Sequence, residues 1–197
     1  LYTNESNVAD LEAAVYISAT GGTVATSGNF KIHSFTGDGN FVVSNAGNSA
    51  GSNTVDYVVV AGGGGGSGFT SSGSGGGGAG GHRESSGGAS GCYTVSPLGA
   101  CVAALPVSAQ TYPITVGAGG AGSPGPGPGQ NGLKGANSVF STITSTGGGG
   151  GIVCAGQTNA TPGGSGGGAG PAQTAGNGNT PPVSPPQGNN GAAGTNG

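Results

Sequence analysis

The sequence predicts a mainly irregular, all-β protein: a small N-terminal antiparallel β region, then a polyglycine II (polyproline II-like) helix bundle with short β-strands and long loops. Three observations predict it. A β-like run discharges straight into a glycine tract three times: Thr54–Val60 before Gly62–Gly66, Thr111–Val116 before Gly117–Gly122, and Val139–Thr146 before Gly147–Gly151. Glycine supplies 51 and proline 12 of the 197 residues, yet no strict Gly-X-Y period runs through the tracts, which excludes a collagen-like triple helix. Charged residues make up only 5% of the chain beside 32% hydrophobic ones, with a net charge of −3. A polar, nearly uncharged chain has no self-repulsion to hold it open, so it collapses into hydrogen-bonded structure.

The composition breaks near residue 60. The first 60 residues hold 7 glycines and six of the nine charges, which leaves 44 glycines for the other 137 residues. Two domains follow: 1–60, an N-terminal β region, and 61–197, a glycine-rich region with variable loops. In the first, Asn7–Ile17 reads two ways. Asn7 or Ser6 caps a short helix with Val8, Leu11 and Val15 at helical spacing, while Ala13–Ser18 reads equally as an opening strand. Thr23–Thr26, Phe30–Phe35 and Phe41–Ser44 read as strands. The turn residues Gly37–Asn40 predict a hairpin over 30–43. With Thr54–Val60 these make a small sheet whose expected core is Phe30, Ile32, Phe35, Phe41, Val42, Val58 and Val60.

Glycine tracts have no side chains to bury, and ordering each backbone costs ~1–2 kcal/mol. Extended helices with three residues per turn offset that cost when they pack side by side. Backbones without Cβ atoms approach closely enough to exchange N–H···O=C bonds worth a net ~0.5–1.5 kcal/mol each. Such a lattice must be almost fully bonded, which explains runs of five glycines rather than scattered single ones. Composition leaves the order of residues 172–197 open.

Few chemistries survive inspection. Three Lys and Arg in 197 residues give no electrostatic footprint for nucleic acid. No run approaches the ~20 apolar residues of a membrane helix, and the first residues show no signal-peptide pattern. The chain lacks Met and begins with Leu, which reads as a piece of a longer product. Gly62–Gly68 follows a strand but has no Gly-Lys-Ser/Thr, so it is no phosphate loop. Five of the six carboxylates lie in the first 60 residues without a paired base or nucleophile, and three cysteines without a His pair make a poor zinc site. No enzyme, metal or cofactor is expected. Cys92 and Cys101 bracket a Pro- and Gly-containing loop. A disulfide there closes ten residues and stabilises by ~2.5–3 kcal/mol on the chain-entropy model, leaving Cys154 over.

Taken as an ordered set of phrases, the chain resembles the glycine-rich domain of phage virion proteins. The phrases are Gly21–Thr36, Thr54–Gly66, Tyr112–Gly120, Asn137–Phe140, Gly147–Gly151 and Asn177–Asn189. The resemblance implies a module of tail-fibre tips and virion surfaces, similar to a sandwich of packed polyglycine II helices whose far-end loops contact a host surface protein or glycan. On that reading His82, Arg83, Glu84, Tyr93, Gln157 and Asn159 are receptor-contact candidates, and the bland reading of His82–Glu84 is a solvated loop. The expected function is non-catalytic host attachment from the virion surface or outside the cell. Other virion or fibre proteins and further copies of the chain, as a trimer or helical assembly, are its expected partners. The alternative is a self-assembling extracellular filament or capsid-decoration subunit.

Overall fold

The computed structural model describes residues 12–68, 73–86, 102–124, 129–153 and 159–195. Eleven strands lie among them. They are β1 (Ile17–Thr20), β2 (Thr23–Ser27), β3 (Phe30–Ser34), β4 (Gly39–Ala46), β5 (Thr54–Val55), β6 (Val58–Val60), β7 (His82–Glu84), β8 (Leu105–Pro106), β9 (Thr111–Thr115), β10 (Ser138–Phe140) and β11 (Ile143–Ser145). An antiparallel sheet in the order β1-β4-β9-β10-β11 organises the molecule, and β2-β3, β5-β8 and β6-β7 form two-stranded ribbons.

Alternation along β4 sets the core. Phe41 and Val43 turn inward while Val42 faces out, as the two-residue period of a strand requires. Phe41 stands opposite Tyr112 of β9, and Phe140 of β10 meets both rings edge-on, with centroids 6.0 Å away in each case. Val59, Val107 and Ile143 close the cluster. Offset and edge-to-face aromatic pairs add ~0.5–1.5 kcal/mol beyond their buried area, so this trio contributes more than its burial alone.

This architecture overturns the expected one. Among the described residues the protein is all-β, with no helix and no helix bundle. The main sheet joins β1 and β4 to β9, β10 and β11 from the glycine-rich half. The physical reason is coverage: β4 alone leaves Phe41 and Val43 in water, and the alternating apolar residues of β9–β11 are what bury them. The helical reading of 7–17 fails over its described part, since residues 12–16 are irregular and Ile17 opens β1; residues 1–11 lie outside the described residues.

The predicted hairpin is also displaced. β3 pairs with β2, Ser27 opposite Phe30, around a turn at Gly28-Asn29 with Gly28 at φ 57. The Gly37–Asn40 turn instead releases β4 to pair with β1 and β9. A two-residue turn with positive φ matches strand twist better than a longer connection, so it takes the hairpin. The expected core shifts accordingly. Phe41 is buried and Phe35 packs half-buried against it, but Phe30, Ile32, Val42, Val58 and Val60 are exposed. Uninterrupted apolar pairs such as Val42-Val43 and Val58-Val59 hide which member faces inward.

The tracts are extended segments outside the strands, joined by backbone bonds at a spacing of three. Ala61, Gly64 and Ser67 donate to Gly81, Gly78 and Gly75 at 3.0, 2.8 and 2.9 Å. Gly62, Gly65 and Gly68 donate to Ala136, Leu133 and Gln130 at 3.1, 2.8 and 3.2 Å. The carbonyls of Gly62 and Gly65 accept from Gly148 and Gly151, and those of Gly63 and Gly66 from Gly120 and Ser123. Segment 61–68 thus bonds four neighbours. Segment 146–153 is buried along its whole length, and a Cβ on Gly148 would lie 2.0 Å from the Gly78 carbonyl oxygen. Close backbone approach, rather than unusual dihedrals, is why this segment is glycine.

Candidate functional site

The bonding pattern gives the tract region two distinct ends. Beside the sheet, Ala61 bonds Gly81, Gly62 bonds Ala136, and Gly81 bonds Thr146. At the opposite end Ser67 bonds Gly75, Gly68 and Gln130 exchange bonds, Ser123 bonds Gly66, and Gly75 bonds Ile152. The segment after residue 159 joins this far end, because Ile152 donates to Gly168 and Ala160 to Thr174. The described residues bracketing four chain connections (68 and 73, 124 and 129, 153 and 159, 170 and 174) therefore share one end.

The exposed side chains described at the far end are polar and uncharged. Gln130, Asn159 and Thr174 are exposed there, and Asn159 and Thr174 form a parallel bridge. Side chains brace it from beneath: Asn131 Oδ1 accepts the Val153 amide at 3.1 Å, and Ser67 Oγ accepts from Gly75 N at 2.8 Å. Such side chains can exchange hydrogen bonds with hydroxyls and amides and exert almost no long-range electrostatic steering.

The sequence-predicted residues do not converge. His82, Arg83 and Glu84 are not a solvated loop: they form β7, antiparallel to β6, at the sheet end. Glu84 is only 7% exposed, and His82 Nε2 lies 4.0 Å from Glu84 Oε2. The His82 amide donates to the Gln187 carbonyl at 2.9 Å. Burial raises the Tyr57 hydroxyl above its ordinary 10.0, with Arg83 pulling in the opposite direction. Next to β7, Ser85 is fully buried and donates to Asp56 Oδ1 at 2.7 Å while accepting the Tyr57 amide. This cluster ties sheet to tracts. Asn159 stands at the other end, and Tyr93, Gln157, Cys92 and Cys101 lie outside the described residues.

Sequence reasoning missed Gln187. Its side chain is 1% exposed, its Oε1 accepts the buried Thr146 amide at 2.8 Å, and its Nε2 donates to the Pro181 carbonyl at 3.1 Å. Asn179 Oδ1 accepts the amides of Val183 and Gln187, so residues 179–187 are fastened at the sheet end. Nothing in a proline-rich stretch marks one amide as buried. Among the described residues no group of three His, Cys, Asp or Glu is placed to hold a metal, and no helix is long and apolar enough to cross a membrane.

A strand-built sheet feeding backbone-bonded glycine tracts defines the class of protein. The glycine-rich domain family matches residues 36–197, and the chain belongs to that family. No curated protein and no solved structure matches the chain.

Proposed function

We propose that this protein is a non-catalytic attachment module of a virion surface or tail fibre. In this reading it works outside the cell, without cofactor, and binds a host surface protein or glycan through the far end of its tracts. The observation that carries the reading is the gathering of the residues that bracket four connections at one end of a backbone-bonded scaffold, opposite the sheet. A scaffold whose bonds are made by backbone leaves its connections free to vary in sequence, which is what recognition of changing surfaces requires. Gln130, Asn159 and Thr174 are the contact residues of choice, and the resemblance to phage virion proteins supplies the host-attachment context. His82–Glu84 drop to a supporting role in this reading, since β7 is an internal seam.

The test is binding of the purified, fluorescently labelled chain to a panel of bacterial cells. Saturable binding that falls at least tenfold in a Gln130→Ala/Asn159→Ala/Thr174→Ala variant with unchanged melting temperature supports the reading. Binding that survives these changes, or no saturable binding to any cell, overturns it.

A second reading, a self-assembling structural subunit, has its own support in the open β2-β3 ribbon. Both readings include further copies of the chain as partners.

A further inference from the structure

The β2-β3 ribbon stands largely apart from the rest of the fold. Every residue of β2 is exposed, and β3 buries only His33 in part. His33 anchors its base, with Nδ1 2.8 Å from the Gly21 carbonyl and the ring edge-on to Phe41 at 5.1 Å. A two-stranded ribbon alone is marginally stable in water. Among the described residues β3 pairs only with β2, so every second residue along its other edge offers N–H and C=O to whatever approaches.

That edge faces an open groove. Phe30 and Ile32, 42% and 47% exposed, line one side, and Val58 and Val60 of β6, 59% and 55% exposed, line the other. Four large apolar side chains left half in water around one groove mark an interaction surface. Among the described residues two charged ones line it, Lys31 and Asp56, and they are of opposite sign.

We propose that this groove is the interface between two copies of the chain. Each copy inserts its β3 edge, with Phe30 and Ile32, against Val58 and Val60 of the other. A two-fold interface is self-complementary, so Lys31 of each copy meets Asp56 of its partner, and the opposite signs suit that reciprocity. The inference deepens the self-assembly part of the reading above and does not depend on attachment: a chain that stays monomeric yet binds cells sinks the interface alone.

Sedimentation equilibrium of the full chain is the first measurement. The expected result is a reversible dimer that Ile32→Asp converts to a folded monomer, its melting temperature lower only by the lost association and independent of concentration, while Leu133→Asp, exposed on a tract, leaves it dimeric. A chain that is monomeric across the concentration range overturns the proposal, as does a dimer that survives Ile32→Asp. Charge reversal then tests the pairing itself. Lys31→Asp and Asp56→Lys variants each place like charges at both contacts and become monomeric, and mixing them restores a heterodimer in which both contacts join opposite charges. Failure of the mixture to associate when each variant is folded overturns the reciprocal arrangement.

Discussion

Phe140 in the sheet and Gly148 in the tracts are both buried, and they hold the molecule together by opposite means. Phe140 packs its ring against Phe41, Tyr57 and Tyr112, and its contribution scales with apolar area removed from water. Gly148 has no side chain, donates to Gly62 and accepts from Gly135, both at 2.9 Å. One region tolerates changes of shape at a graded cost. The other tolerates none where backbones touch, because nothing can move without breaking bonds to several neighbours at once.

The sharpest way to break that contrast is Gly148→Ala. A methyl group 2.0 Å from one carbonyl oxygen and 2.7 Å from both another and the Gly64 nitrogen meets only backbone. The expected cost exceeds the ~1–3 kcal/mol of ordinary overpacking and approaches the ~5–15 kcal/mol that a domain has in total. Thermal unfolding and expression in soluble form check it; a folded variant with a near-native melting temperature would show the tracts to be loosely packed.

Phe140→Ala comes next, at ~3–5 kcal/mol for a buried ring. With ~2–4 °C of melting temperature per kcal/mol in a chain of this size, a drop of roughly 10 °C is expected, with the protein still folded at room temperature. A loss as complete as that of Gly148→Ala would erase the distinction between the two regions.

Gln187→Ala probes the seam between them. It removes the acceptor of the buried Thr146 amide, and an unsatisfied buried donor costs ~1–3 kcal/mol. Hydrogen exchange should accelerate first at Thr146 and His82, before the sheet amides. Uniform acceleration across the chain would mean that Gln187 is no seam.

Gly76→Ala is the smallest effect and has the opposite sign. Nothing lies within 4 Å of a Cβ there, and its φ is ordinary. Restricting the unfolded chain should stabilise by ~0.4–1 kcal/mol, so chemical denaturation should show a slightly higher midpoint. Two glycines of the same tract system thus answer the same substitution in opposite directions, and destabilisation at Gly76 would show that the tract surface is also packed.

Much of the local structure was legible in the residues. The three runs that open the glycine tracts each contain strand, as β6, β9 and β10–β11, and each leads into bonded extended backbone. The strands at 23–27, 30–34 and 39–46 stand where β-branched and aromatic residues announce them. The candidate site was less legible. The charge cluster His82–Glu84 attracts attention because charges are rare in this chain, yet β7 is an interior seam; of the exposed far-end residues Asn159 was among the expected contacts, while Gln130 and Thr174 carry no compositional mark.

The sequence by itself determined where backbone is extended and where side chains must be absent, since β-branched runs and glycine runs act through local sterics. Which strands share a sheet, which valine of a pair faces inward, and which described residues share the far end were decided only by the tertiary structure. These depend on pairing between segments far apart in the chain, such as Phe41 with Tyr112 and Gly62 with Gly148. Tracts of nearly identical composition carry no local signal of which neighbour they will bond.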